Sequence, residues 1–209
     1  MQLGTLNEIL SAYRGLDPET KRIVAADALA ATKHMRFVPL PGPQAQAYLS
    51  NADVLLYGGQ AGSGKSFLLM GLGSQEHRRS IIFRREAGQT DGLEEAGRQI
   101  IGDTARFNGT DLEWSWPDGK SLKLAGMKDA GDWNKHAGRE RDLIGYDEAA
   151  EFLLEQVASL MAWNRGPEGQ RCRIVLATNP PRIADGAWII EWFAPWLDEH
   201  YIGRAKPGE

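Results

Sequence analysis

Eight residues constrain this chain more than any other stretch: Gly59-Gln60-Ala61-Gly62-Ser63-Gly64-Lys65-Ser66. Their spacing is that of a phosphate-binding loop, which functions only between a strand that delivers the chain and a helix that carries it away. Glycines let successive backbone N–H groups turn inward around an anion, and the helix N-terminus adds its positive end. The flanks supply both parts, since Val54-Leu55-Leu56-Tyr57 is a short apolar strand and 66–72 has a helical pattern. Gly59, Gln60, Ala61, Gly62, Ser63 and Gly64 are therefore expected to cradle the phosphates of ATP. Lys65 is expected to neutralise the β- and γ-phosphates, and Ser66 to place its hydroxyl on Mg2+.

The rest of the chain keeps the same rhythm. Strand-like 81–83, helical 93–101, strand-like 143–146, a helix from 149 to about 163 and a strand at 173–177 alternate as in a βαβ sheet. Two short runs, 112–116 and 121–124, flank Pro117-Asp118-Gly119-Lys120 and predict a β-hairpin, read as an insertion. Ahead of the loop, 5–13 and 18–33 predict two helices, the second capped by Asp17 with Pro18 at its first position. Between them and the sheet, 37–44 holds three prolines, which argue for an extended crossing segment. The expected organisation is a helical prefix at 1–36, a nucleotide domain at 37–202 and a loose tail at 203–209.

A phosphate loop alone does not separate a hydrolase from a kinase or a passive nucleotide holder. Leu143-Ile144-Gly145-Tyr146-Asp147-Glu148 adds two adjacent carboxylates at a strand end. Successive strand residues face opposite ways, so the acids have different tasks. Asp147 is expected to hold the magnesium shell, and Glu148 to orient and deprotonate the attacking water. Read by itself, such a pair before a helix is an ordinary acidic helix start; downstream of a phosphate loop it is a catalytic pair. Thr178 and Asn179, at the end of the next apolar strand, are candidates for sensing the γ-phosphate or the water, with a plain Asn-Pro turn as the competing reading. The expected fold is α/β: a P-loop nucleotidase with a mainly parallel central sheet flanked by helices, of the additional-strand, catalytic-glutamate type.

Charge and composition narrow the partners. A net charge of −4 argues against a protein that coats nucleic acid by bulk attraction, leaving local patches such as Arg84-Arg85 and the run 135–141. Each patch taken alone reads as a solvated face. The single cysteine, Cys172, is expected to be a buried structural thiol in a reducing compartment. No apolar run approaches the ~20 residues of a membrane span, and 1–10 lacks the order of a secretory signal, so a soluble intracellular protein is expected.

Four motifs in order resemble the large terminase subunits of tailed phages and related gene-transfer particles: the Pro-rich lead ending in Gln44, the loop from Gly59 to Ser66, Asp147-Glu148, and Ala177-Thr178-Asn179-Pro180. The resemblance implies an ATPase motor that drives double-stranded DNA into a procapsid in the host cytoplasm. It further implies a portal protein and a small terminase subunit as partners, and a homo-oligomeric ring when assembled. Within the family a glutamine ahead of the loop contacts adenine, a role Gln44 would take, with an ordinary turn glutamine as the alternative. Arg84 or Arg85 would touch phosphate or DNA. Arg139, with Arg141 second, would be an arginine finger reaching a neighbour's ATP, against a surface salt bridge to Glu140 or Asp142. Members also carry a C-terminal nuclease domain of clustered carboxylates; Asp198 and Glu199 are too few to build one, so no DNA cleavage is expected.

Other readings share the ATP chemistry. A helicase or recombinase-type ATPase would bring further nucleic-acid motifs or a second motor lobe. A nucleotide-gated assembly protein would not need a water-activating base such as Glu148, and a small-molecule kinase would need a substrate lid. The tryptophans are read as packing rather than base-stacking groups: Trp114 and Trp116 share a hairpin face, and Trp188, Trp192 and Trp196 lie four apart on one helical stripe.

Overall fold

The computed structural model describes residues 6–60 and 62–205. The segment 1–5, Ala61 and the tail from 206 lie outside the described residues, and with them the first residue of the first expected helix and the place of Ala61 in the loop. Ahead of the sheet come α1 (Leu6–Gly15), α2 (Pro18–Thr32) and α3 (Pro43–Leu49). Asp17 caps α2 as expected, its carboxylate accepting the N–H groups of Glu19 and Thr20. Helix α3 corrects the extended reading of 37–44: Pro43 sits in the first turn, where its missing N–H costs nothing, and Gln44 is helical.

The sheet is built from β1 (Val54–Gly58), β2 (Arg79–Arg84), β3 (Arg106–Asn108), β4 (Glu113–Ser115), β5 (Ser121–Gly126), β6 (Leu143–Asp147) and β7 (Arg173–Thr178), in the order β1-β7-β6-β2-β5-β4-β3. The first five in that order run parallel, and β4 and β3 finish the sheet antiparallel. Strand β7 lies between the loop strand β1 and the acid strand β6, the added strand that the expected fold type requires. The hairpin is part of the sheet rather than an insertion, because β5 pairs in parallel with β2 along its full length. Its turn has the expected chemistry: Gly119 takes φ 83° and donates its N–H to Trp116 O. Strand β3 is too short to carry a pattern of its own, and the sequence gives no sign of it.

Buried on both faces, the parallel strands read as continuous apolar runs, and their alternation divides them between two cores. Ile82, Leu143, Val175 and Ala177 face one core with α4 (Lys65–Gln75) and α5 (Asp91–Ile101). Ile81, Phe83, Ile144, Tyr146, Ile174 and Leu176 face the other, with α6 (Leu154–Met161) and α7 (Trp188–Trp192). Leu68, Leu69, Met70 and Leu72 anchor α4 with no exposed surface, each worth about 1.5–3 kcal/mol of transfer free energy. Gly145 permits the approach, since a Cβ there would lie 3.0 Å from Leu69.

Two expected helices are interrupted. The segment after β6 makes one 3-10 turn at Ala149–Glu151, then extends through Phe152, whose ring packs edge-on against Tyr146 at 5.2 Å before α6 begins. The tryptophan stripe divides into α7 and α8 (Ala194–Leu197), because Pro195 cannot donate to the turn before it. Trp188 is core, its indole donating to Phe152 O at 2.8 Å, whereas Trp192 is exposed. Cys172 is half-buried rather than buried, and burial raises its thiol pKa, so it is not activated. No helix among the described residues is long and apolar enough to cross a membrane.

Candidate functional site

The loop between β1 and α4 has the conformation its glycines predict, with Gly62 at φ 82° and Gly64 at φ 75°. Two contacts brace it that the sequence did not announce. Tyr57, at the end of β1, donates its hydroxyl to Ser63 O at 3.0 Å. Gln44 donates its amide to Gly64 O at 2.9 Å and accepts Leu40 N–H. Both ends of the Gln44 amide are thus engaged within the chain, and an adenine contact would have to share or break these bonds.

Lys65 is buried and curls back over the loop, donating to Gly59 O and Gln60 O at 3.0 Å each and to Asn179 Oδ1 at 2.9 Å. The same Asn179 donates its amide to both Glu148 oxygens, at 3.1 and 3.0 Å. Ser66 donates to Asp147 at 3.2 Å, and Arg84 sets one guanidinium nitrogen 3.2 Å from Asp147 Oδ2 and another 3.8 Å from Glu148 Oε1. Lys65, Asn179, Glu148, Arg84, Asp147 and Ser66 therefore close a polar circuit across the C-terminal ends of β1, β7, β6 and β2, the edge where ligands sit in parallel sheets.

Burial raises the Asp147 pKa, with the Glu148 charge adding to it and Arg84, Ser66 and Lys65 opposing. Glu148 stands at φ 57°, in the left-handed region that few residues other than glycine adopt. The Glu148 carboxylate meets the Asn179 amide, while Asp147 meets Ser66.

The two sensor candidates are placed differently. Asn179 touches Lys65 and Glu148 directly. Thr178 is buried beneath them, accepting Ala150 N–H at 3.1 Å while its carbonyl accepts Gly59 N–H. It joins the start of the phosphate loop to the segment that follows Glu148.

Arg84 enters the site; Arg85 turns away and donates to Glu151 O. Arg139 is exposed in the segment ahead of β6, and none of the contacts of the polar circuit involves it. The salt-bridge alternative is not what the structure has: Glu140 pairs with Arg79 and Arg165, and Asp142 accepts backbone N–H groups. Arg141 is half-buried in the same segment, its backbone N–H bonded to Trp163 O.

Among the described residues no three His, Cys, Asp or Glu side chains cluster to hold a metal outright. Ser66 and Asp147 face each other at hydrogen-bonding distance, a hydroxyl and a carboxylate that fit a Mg2+ whose other ligands come from phosphate and water, and the Arg84 guanidinium lies on that carboxylate.

Residues 56–206 match the family model described as terminase large subunit, T4likevirus-type, N-terminal. No curated protein matches the chain. Among solved structures, one crystal form of the large terminase from a thermophilic bacteriophage aligns at 15% identity with a TM-score of 0.55, over 68% of this chain and 40% of that one. Another crystal form of that terminase, in complex with ADP, gives 0.46 at 15% identity, over 66% and 38%. The first of these likenesses is one of fold, and this chain spans 40% of that protein.

Proposed function

Because the chain belongs to the terminase large-subunit family, whose N-terminal model it matches, we propose that it hydrolyses ATP to drive double-stranded DNA into a viral procapsid. The observation that carries this reading is the circuit from Lys65 through Asn179, Glu148, Arg84 and Asp147 to Ser66, which joins a phosphate loop to a candidate base and a candidate metal ligand.

ATP would lie against the loop residues Gly59 to Ser66, with Lys65 exchanging the carbonyls of Gly59 and Gln60 for β- and γ-phosphate oxygens. Ser66 and Asp147 would hold Mg2+, which when bound supplies positive charge to the same phosphates. Glu148, released from the Asn179 amide, would orient the attacking water and accept its proton. Asn179, bonded to both Lys65 and Glu148, would register the γ-phosphate, and Thr178 would pass its loss to the segment after Glu148. Gln44 would set the shape of the loop's last turn from beneath, whether or not it also meets adenine.

A finger arginine at Arg139 would act on a neighbouring copy, in a homo-oligomeric ring seated on a portal protein and loaded through a small terminase subunit, in the host cytoplasm. The test is steady-state ATP hydrolysis with and without double-stranded DNA, across protein concentration, beside Lys65→Ala, Glu148→Gln and Arg139→Ala. Turnover that rises with concentration and is lost in all three variants is expected. Mg-ATP binding without turnover under any condition would assign the chain to nucleotide-gated assembly instead.

A further inference from the structure

Arg84 occupies a place that the hydrolysis reading leaves without a task. Strands β2 and β6 run parallel with Phe83 beside Tyr146, so the next residues, Arg84 and Asp147, meet at the strand ends. One guanidinium nitrogen lies 3.2 Å from Asp147 Oδ2. Ser66 reaches that same oxygen at 3.2 Å. The remaining contacts of the guanidinium are long, 3.8 Å to Glu148 and 3.5 Å to Gln89 O, and its Nε is buried without a hydrogen-bond partner. An arginine that serves structure in this fold shares the unpartnered Nε but differs at its terminal nitrogens: Arg173 donates both to backbone carbonyls, at 2.9 and 3.2 Å.

We infer that Arg84 is a placeholder for the metal: its guanidinium neutralises Asp147 before metal binds, bars a free divalent cation from the Ser66–Asp147 pair, and leaves Asp147 when metal arrives with a nucleotide. The inference rests on the reading of this site as an ATP site. Two cations cannot share Oδ2 at contact distance without strong repulsion in a half-buried site. Bare Mg2+ therefore competes poorly, while Mg2+ delivered with phosphate brings its own negative charge. Order follows from this, with metal and nucleotide entering together and neither acid left uncompensated between turnovers. Arg84 is a positioning residue here, acting through Asp147.

The test compares wild type, Arg84→Gln and Arg84→Lys by two titrations: Mn2+ without nucleotide, followed by electron paramagnetic resonance, and a fluorescent ADP analogue with Mg2+. Arg84→Gln is expected to bind Mn2+ about tenfold more tightly than wild type, and Arg84→Lys, which keeps the charge, to stay near wild type. Unchanged or weaker Mn2+ binding in Arg84→Gln overturns the inference. A measurement on wild type covers the case in which the variant does not fold. The side-chain N–H resonance of Arg84, assigned from the Arg84→Lys spectrum, should move with Mg2+ plus ADP and stay in place with ADP in chelator; a signal indifferent to metal overturns the inference equally. If wild type binds no nucleotide with or without metal, the ATP-site reading fails and takes this one with it. Normal nucleotide binding beside unaltered Mn2+ affinity removes Arg84 alone.

Discussion

The two ends of strands β6 and β7 both carry buried charge and use it in opposite ways. At the C-terminal end, Asp147 and Glu148 meet Arg84 and the amide of Asn179, with Lys65 one bond further on, so the acids are met by side chains. At the N-terminal end, Asp142 accepts the backbone N–H groups of Arg78 and Arg79, and Arg173 donates to the carbonyls of Ala47 and Tyr48 at the close of α3. Backbone partners are fixed by the fold. Side-chain partners can be exchanged for a ligand of matching charge without unfolding anything. By that difference one end is a site and the other a fastening.

The largest effect that would break this comparison is at the exchangeable end. Lys65→Ala and Glu148→Gln should each lower ATP turnover by on the order of a thousandfold while leaving the melting temperature within a few degrees. A variant that lost activity only by unfolding would show that the upper charges are structural too. Calorimetry beside the hydrolysis assay separates the two outcomes.

At the fastening the signature inverts. Arg173→Met leaves two buried carbonyls without donors and should cost about 3 kcal/mol in urea unfolding, with nucleotide turnover by the folded fraction lowered far less. An Arg173→Met protein as stable as wild type would remove the distinction.

The sequence disclosed these two ends unequally, and for physical reasons. The loop, the acid pair and every strand but β3 were legible because glycine spacing, carboxylates at a strand end and apolar alternation are local signals. The circuit itself was not. Arg84 meets Asp147 only through the parallel register of β2 and β6, and Arg173 meets α3 across 126 residues of chain. Local rules also misled where tertiary packing overrode them: Pro43 opens a helix that three prolines argued against, and Phe152 leaves its helix to reach Tyr146. Arg139 was named from resemblance, and the structure contributes its exposure.

Acid should sharpen the contrast by acting on the lower end. His77 is buried there with its Nδ1 3.8 Å from Asp142, yet neither ring nitrogen makes a hydrogen bond. Burial, helped by Arg173 and opposed by Asp142, holds its pKa down at about 4, so the contact is not an ion pair at neutral pH. The unfolded chain takes up the proton near pH 6.5 and the folded one only near 4, so stability is full above the higher value and falls as pH drops between them. His136, held neutral by burial to a similar value, adds to the same slope. His77→Leu should remove part of it, unfolding later than wild type in urea at pH 5. Identical pH profiles for the two proteins would show that His77 carries no linkage.

The smallest effect belongs to the residue that joins the two ends. Gln44 sits in α3, whose last carbonyls Arg173 holds from below, and its amide donates upward to Gly64 O. A glutamine that shapes the loop would affect every nucleoside triphosphate alike, because on the proposed reading the loop holds phosphate. A glutamine that reads adenine affects ATP alone. Gln44→Leu keeps the bulk and removes the amide, a change worth about 1 kcal/mol, or several-fold in affinity. We expect ATP and GTP binding to weaken by the same factor, measured by competition against one fluorescent analogue. Loss confined to ATP would return Gln44 to the base, and would mean that its bond to Gly64 gives way when nucleotide enters, making the lower anchor of α3 the part that stays fixed while the upper contact is exchanged.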